Sequence, residues 1–208
     1  FHNGEALTAE DVVFTFNRIM PEDSGYAYRS QIETIESVVA EDDLTVVFNL
    51  KTVTGPFEIY MAFPGSSIVP KDLVESGHDL NAEPVGSGPF KFVSYTPRDS
   101  IKFVKNEAYY ESGKPYFDEM TYRIVADPTA LANGMKSGEI NFSNEVPPKD
   151  WNSITSQSNM VDAALEGSRY YWMLPNHERG VLGDPLVRQA IAHALNREAI
   201  VKAAFFGQ

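Results

Sequence analysis

The four histidines are the first candidates for chemistry, because imidazole serves both as a general base and as a metal ligand. They are scattered along the chain at His2, His78, His177 and His193. None stands at the spacing from a second ligand that a zinc site uses. The chain has no cysteine, so it offers no thiolate ligand and no thiolate nucleophile. The spacing therefore favours neither a metal centre nor a histidine-based catalytic site.

Ser87 is a candidate nucleophile because it lies between Gly86 and Gly88. A nucleophile elbow, however, requires glycines two residues before and two residues after the serine. Val85 and Pro89 occupy those positions. The sequence also has no phosphate-binding glycine loop with a following lysine. We interpret residues 83–89, which contain Gly86 and Gly88, as a flexible segment that connects two domains, and we call this segment the crossing. Glycine can absorb a change in backbone torsion there.

Three pairs of adjacent acidic residues could support acid–base chemistry: Glu10 with Asp11, Asp42 with Asp43, and Asp118 with Glu119. A glycoside-type hydrolase would need two carboxylates that face one cleft at about 5 to 10 Å. Adjacent carboxylates at a helix start or in a turn usually face water instead. A hydrolase is kept as one alternative, and no catalytic residue is proposed.

Aromatic residues are the more informative candidates for binding. Tyr26 and Tyr28 lie in a predicted turn, and Tyr170, Tyr171 and Trp172 lie on a predicted strand. Side chains alternate between the two faces of a strand, so Tyr171 would point away from the other two. Rings that carry a polar group suit a surface that buries apolar parts of a ligand and keeps some hydrogen bonding. Ordinary core packing is the competing interpretation for each of them.

Composition limits the partners that the chain can have. The sequence has 208 residues with 29 acidic and 17 basic side chains, a net charge of −12. Nucleic-acid affinity depends on clustered Lys and Arg, so nucleic acid is disfavoured as a partner. No apolar run approaches the roughly 20 residues that cross a bilayer. Residues 1–87 hold 15 acidic and 4 basic side chains, against 14 and 13 in residues 88–208, which predicts two domains.

Hydrophobic spacing and turn residues predict a mixture of helices and strands, so the predicted fold class is α/β (mixed α+β). The predicted helices cover residues 9–19, 129–136, a short segment at 151–154, and two segments that begin at Pro185 and after Asn196. The predicted hairpins join residues 34–40 to 44–50 and residues 90–95 to 101–104. Further strands are predicted at 120–125, 139–142, 161–165 and 169–174.

Five segments, taken in order, resemble the family 5 extracellular solute-binding proteins, the peptide- and nickel-binding receptors of ABC importers. They are FHNGEALTAEDVVFT at 1–15, VGSGPFK at 85–91, KNEAYY at 105–110 with GKP at 113–115, SGEI at 137–140, and DPLVRQAI at 184–191 leading into LNREAIV at 195–201. The chain is identified as a member of this family.

The resemblance implies a partial fold of the periplasmic binding protein type II kind. Residues 1–86 would be part of the family's extra α/β domain, and residues 87–208 part of its first ligand lobe. The second ligand lobe would be absent, so we expect the chain to be a fragment of a longer protein.

The resemblance also implies a binding protein without catalytic activity or cofactor. It would capture a peptide or a related small solute at the periplasmic or extracellular face of the cytoplasmic membrane and deliver it to ABC permease subunits. Any membrane attachment would come from a lipid anchor outside these residues. The same fold used as the sensing domain of a transcriptional regulator is the alternative. Peptides, metal chelates, haem and sugars are all ligands within the family, and the sequence does not choose among them.

By the same resemblance, the loop with Tyr26 and Tyr28 faces the ligand cleft from the extra domain. The strand through Tyr170, Tyr171 and Trp172 to Asn176 borders the cleft from the first lobe. Pro175, directly before Asn176, departs from the family pattern and removes a strand hydrogen-bond donor. Gly86 and Gly88 would act as hinge residues between the domains.

Overall fold

The computed structural model describes residues 1–163 and 171–206. Helices and strands are mixed along these residues, as the sequence predicted. The helices are α1 (Ala9–Ile19), α2 (Arg29–Ile32), α3 (Phe57–Met61), α4 (Lys71–Glu75), α5 (Pro128–Ser137), α6 (Trp151–Thr155), α7 (Pro185–Ala194) and α8 (Arg197–Ala204). The strands are β1 (Ile35–Asp42), β2 (Thr45–Leu50), β3 (Phe90–Thr96), β4 (Ser100–Lys105) and β5 (Glu119–Arg123). Short 3-10 turns cover Pro64–Ser66, Pro148–Asp150 and Gly180–Gly183.

The chain divides into two compact units, Phe1–Ile124 and Val125–Gln208, here called the N-terminal unit and the C-terminal unit. This division reflects the contacts within residues 1–208. The sequence predicted a different kind of boundary, that between the family's extra domain (residues 1–86) and its first ligand lobe (residues 87–208), and that boundary stays a prediction.

Helix α1 begins where the sequence predicts. Thr8 precedes it in extended conformation, and the Asp11 carboxylate accepts a hydrogen bond from the Thr8 N–H at 2.8 Å. An acid in the first turn also interacts favourably with the helix dipole. The inward face of α1 places Phe16 against the β1–β2 hairpin, where its ring meets Phe48 edge-on at 5.0 Å. Phe16 forms a buried cluster there with Ile32, Ile35 and Val38.

Polar contacts fasten α1 to the chain that leads into α4. The Asp11 carboxylate also accepts the Lys71 N–H at 2.9 Å, and the Thr15 hydroxyl accepts the Val69 N–H at 3.1 Å. Both Asp11 and Thr15 are buried. A buried backbone N–H without a partner is costly, so these two side chains stabilise the approach of a distant segment.

Strands β3, β4 and β5 form an antiparallel sheet in that order. Phe92 pairs with Phe103, which pairs in turn with Met120. The hairpin between β3 and β4 is the one predicted from the sequence, and an irregularity in register follows Phe92.

The C-terminal unit has a smaller core, formed by Ala132, Met135 and Ile154. Asp127 caps α5 by accepting the Ala130 N–H at 2.7 Å, and Gly138 ends it with a φ of 79°. That left-handed conformation favours glycine, which explains the helix end predicted there. Helices α7 and α8 also have side-chain caps at their N-termini, Asp184 and Asn196, as their sequence predicts.

Three predicted strands are wrong in their described residues. Residues 139–142, 161–163 and 171–174 form no strand. In the first of these segments the Ile140 N–H donates to the Gly134 carbonyl at 3.0 Å, so it closes the end of α5 and is not free for a sheet. Apolar and aromatic composition predicts a strand only where another strand supplies the hydrogen bonds. Residues 164–170 lie outside the described residues.

Candidate functional site

Tyr26 and Tyr28 lie in the loop between α1 and α2, and the structure brings their rings together. The two rings meet edge-on at 5.8 Å, and Tyr28 meets Phe63 in the same manner at 4.8 Å. Arg29 holds the loop by donating to the Met20 carbonyl at 2.7 Å. Tyr28 remains 44% exposed while Tyr26 is more deeply packed. The cluster therefore presents one aromatic ring to solvent on a packed base.

Gly65 makes this aromatic cluster possible. A Cβ atom at Gly65 would lie 2.8 Å from a ring carbon of Tyr28 and closer still to the Tyr26 hydroxyl oxygen. That hydroxyl is buried and has no hydrogen-bond partner among the described residues. Sequence reasoning missed both Phe63 and Gly65. The Pro64-Gly65 turn was the available signal, because glycine permits a close approach that no other residue allows.

The crossing that contains Gly86 and Gly88 is held by hydrogen bonds. The Gly86 carbonyl accepts the His2 N–H at 2.7 Å, and the Pro89 carbonyl accepts the Asn106 N–H at 2.8 Å. Neither glycine has a positive φ. An added Cβ would meet only a His2 ring carbon at 3.7 Å in the case of Gly86, and nothing within 4 Å in the case of Gly88. Neither backbone conformation nor contact requires glycine in this arrangement, and a hinge role for the two residues stays a prediction.

Tyr171, Trp172 and Asn176 lie in the C-terminal unit, and Tyr170 lies outside the described residues. Tyr171 packs against Phe205 with ring centres 4.6 Å apart, yet 74% of it is exposed. Trp172 is 62% exposed. The expected alternation of faces does not apply here, because Tyr171 and Trp172 do not lie on a strand. Asn176 is exposed and accepts the Glu178 N–H at 3.0 Å.

A polar pocket that sequence reasoning missed lies after β4. It has a volume of about 290 Å³, and its lining includes Lys105, Tyr109, Tyr110, Glu111 and Lys114. The hydrogen bond with Tyr110, followed by burial and the nearby charges, raises the pKa of Tyr109 to about 12. The hydrogen bond and charge of Lys114 lower the pKa of Glu111. Side chains of this loop thus bond to one another. The only sequence signal for the pocket was the pair of adjacent tyrosines, Tyr109 and Tyr110.

Carboxylates of two of the three acidic pairs are engaged in structural contacts. Asp11 binds backbone N–H groups with both carboxylate oxygens, and Glu10 pairs with Lys71 at 3.1 Å. Asp42 accepts the Leu44 N–H and the Thr45 hydroxyl, and these two bonds lower its pKa. A carboxylate held in its ionised form is a poor general acid at neutral pH. Among residues 1–163 and 171–206, no group of three His, Asp or Glu could hold a metal ion.

Within residues 1–163 and 171–206, none of the helices has the length and apolar character needed to traverse a bilayer.

Comparison with known proteins adds the family. The profile of the bacterial extracellular solute-binding proteins, family 5 (Middle), matches residues 1–208. The chain belongs to this family. The resemblance inferred from five sequence segments is therefore confirmed.

Individual relatives of family 5 match along the whole chain. The oligopeptide-binding protein AppA of Bacillus subtilis (strain 168) is 34% identical over 218 residues, which cover 100% of this chain and 39% of AppA. The glutathione-binding protein GsiB of Pectobacterium atrosepticum is 29% identical over 208 residues, covering 100% of this chain and 40% of GsiB. The chain thus spans about two fifths of the length of the curated relatives it matches.

Solved structures of family 5 type confirm the predicted fold class. The binding protein AgaA of A. tumefaciens R10, in complex with agropinic acid, has a TM-score of 0.82 and 31% identity, covering 99% of this chain and 42% of AgaA. AppA of Bacillus subtilis, in complex with a nonapeptide, has a TM-score of 0.80 and 33% identity, covering 100% of this chain and 42% of that one. The mixed α/β chain is therefore a partial binding-protein fold, as predicted.

Proposed function

We propose that the chain is part of the substrate-binding component of an ABC importer. It captures a peptide or a related small solute outside the cytoplasmic membrane and delivers it to permease subunits. The observation that carries the proposal is the match of the whole chain, in sequence and in structure, to a protein solved with a bound nonapeptide. A wider class of solute is included because one relative is named for glutathione and a structural neighbour was solved in complex with agropinic acid.

The protein acts by binding and not by catalysis. Glu10, Asp11 and Asp42 serve helix and turn structure, as described above, and the family is one of solute-binding proteins. We place it at the periplasmic or extracellular face of the membrane, and we assign it neither cofactor nor metal nor nucleic-acid partner.

The proposed ligand contacts are the aromatic residues of both units with one amide. Tyr28 offers an exposed ring, and Tyr26 beneath it carries a buried hydroxyl without a described partner. Tyr171 and Trp172 offer large exposed rings in the C-terminal unit, and Asn176 offers an exposed amide. Tyr170 completes the set, and Gly86 and Gly88 are the proposed hinge. Aromatic side chains give binding energy at low entropic cost and tolerate varied ligands.

The test uses the full-length mature protein. Native mass spectrometry of the protein as purified, followed by denaturation and sequencing of released molecules, is expected to show bound peptides. Protein stripped of ligand by unfolding and refolding is the control, and it should regain a bound peptide from a synthetic library. A protein that is empty as purified and whose melting temperature ignores the library would overturn a peptide ligand.

A further inference from the structure

His2 makes an unusual set of contacts with the crossing. Its backbone N–H donates to the Gly86 carbonyl at 2.7 Å, and its ring nitrogen Nδ1 accepts the Gly86 N–H at 3.3 Å. The other ring nitrogen, Nε2, lies 2.9 Å from the Gly88 carbonyl oxygen. One residue thus engages both polar backbone groups of Gly86 and the carbonyl of Gly88, from more than 80 positions away in the sequence.

The partners determine the form of the imidazole. A backbone N–H can only donate, so Nδ1 must carry a lone pair. A carbonyl oxygen can only accept, so Nε2 must carry the proton. The contacts are therefore satisfied together by one species, the neutral imidazole with its proton on Nε2. A second proton, on Nδ1, would set two donors against each other and remove the bond to Gly86.

Asn106 also fastens the crossing. It is 6% exposed, and its side-chain amide donates to the same Gly88 carbonyl at 3.1 Å. The charged group in contact with His2 from β3 is Lys91, whose ammonium group donates to the His2 carbonyl at 3.4 Å. The amide of Asn106, which follows β4, is neutral. The Gly88 carbonyl thus accepts from two side chains, while the Gly86 N–H donates to the His2 ring as its one partner among the described residues.

We infer that His2 is the positioning residue of the crossing: its neutral imidazole holds residues 86 to 88 in one conformation and so controls how readily the crossing opens. The consequence for ligand capture rests on the proposed function, because a crossing that opens more readily would let a captured solute leave faster. The conformational role itself does not depend on any ligand.

Two variants of the full-length protein test this role. His2→Ala removes both ring contacts, and hydrogen exchange at the Gly86 amide is expected to accelerate about tenfold, as loss of a hydrogen bond to a partly buried group would allow. His2→Gln keeps one acceptor and one donor on a single side chain, and it should restore most of the protection. His78→Ala is the matched control, because the His78 ring also bonds to one backbone carbonyl, that of Glu83 at 2.8 Å.

Nitrogen chemical shifts of the His2 ring supply a readout that general destabilisation would not imitate. We expect the tautomer with the proton on Nε2 in the wild type at neutral pH. A ring protonated on Nδ1 at neutral pH, or unchanged Gly86 exchange in folded His2→Ala, would overturn the inference.

The functional consequence has its own measurement. Dissociation of a fluorescent synthetic nonapeptide library is expected to be faster from His2→Ala than from His2→Gln and His78→Ala. Unchanged dissociation rates beside intact wild-type binding would overturn the link to ligand capture. If the wild type binds no peptide, the proposed function fails, while the exchange and tautomer measurements still decide the role of His2.

Discussion

Helices of the N-terminal unit and of the C-terminal unit are held by different kinds of contact. In the N-terminal unit, α1 buries Phe16 against the β1–β2 hairpin and fastens itself to a distant segment through Asp11. In the C-terminal unit, neither α7 nor α8 contains a buried residue among those described, and Leu186 on α7 is 70% exposed. Within residues 1–208, tertiary contacts therefore fix the position of α1, whereas the contacts seen at α7 and α8 are local capping bonds at the helix ends.

The comparison separates two sources of specificity. A helix cap is local, since donor and acceptor lie within three residues, and it contributes about 1 kcal/mol wherever the helix lies. A packed ring contributes several times more, but only when distant residues surround it. We therefore expect mutations of packed rings and mutations of helix caps to change the free energy of unfolding by different amounts.

The largest effect is expected at Phe16. Phe16→Ala should lower the free energy of unfolding by about 3 to 5 kcal/mol, because it leaves a cavity beneath the hairpin. Asp184→Ala, which removes the side-chain cap of α7, should cost about 1 kcal/mol. Urea unfolding of the full-length protein, followed by near-UV circular dichroism, gives both values. Equal losses would break the proposed contrast.

Asp11 should show the next largest effect. Asp11→Ala leaves the N–H groups of Thr8 and Lys71 without their acceptor, and the expected cost is about 1 to 3 kcal/mol for two partly buried donors. Glu10→Ala is the matched control one position away. It removes only the ion pair with Lys71, in which the Glu10 side chain is 72% exposed, and such pairs contribute at most about 1 kcal/mol. A Glu10 variant as unstable as the Asp11 variant would contradict this assignment.

The same contrast explains which elements could be predicted from the sequence. Helix α1, both hairpins and the capped helices α7 and α8 carry their signals locally, in capping residues, alternation and turns. All of them are confirmed. The strands predicted at 139–142 and 169–174 carry only composition, and a strand also requires a partner with which to form hydrogen bonds. Ile140 shows the alternative outcome, since its N–H closes a helix end instead.

The candidate site divides along the same line. The sequence could point to Tyr26 and Tyr28, because residue type and position in a loop are local properties. It could not point to Phe63 or Gly65, which reach the pair only through the fold. His2 was missed for the same reason, since its partners at Gly86 and Gly88 are distant in sequence. Family resemblance supplied candidate residues but not the contacts that position them.

Aromatic residues allow a test of the proposed ligand contacts. Replacing Tyr28, Tyr171 or Trp172 by alanine should weaken ligand binding by about 1 to 3 kcal/mol for each ring that contacts ligand. Tyr116→Ala is the control, because Tyr116 is 81% exposed and is not among the proposed contacts. Isothermal titration of the full-length protein with the ligand identified by mass spectrometry gives the affinities. If all three variants bind as the wild type does, these rings are structural.

The smallest effect is expected at Asp42, in the turn of the first hairpin. Bonds from the Leu44 N–H and the Thr45 hydroxyl favour its ionised form and lower its pKa. Because the folded pKa is the lower one, the stabilisation is fully present above the unfolded value of about 4 and disappears as the pH falls through the folded value. NMR titration of the carboxyl carbon should show the lowered pKa in the wild type and a partial return in Thr45→Val. A midpoint at or above the ordinary value would contradict the bonds seen in this turn.

The bonds span only three residues, so this turn resembles the caps of α7 and α8 more than the Phe16 core. The Asp42 turn is therefore an element of the N-terminal unit that is stabilised by contacts between neighbours in the sequence, unlike the packing of Phe16, which depends on distant residues.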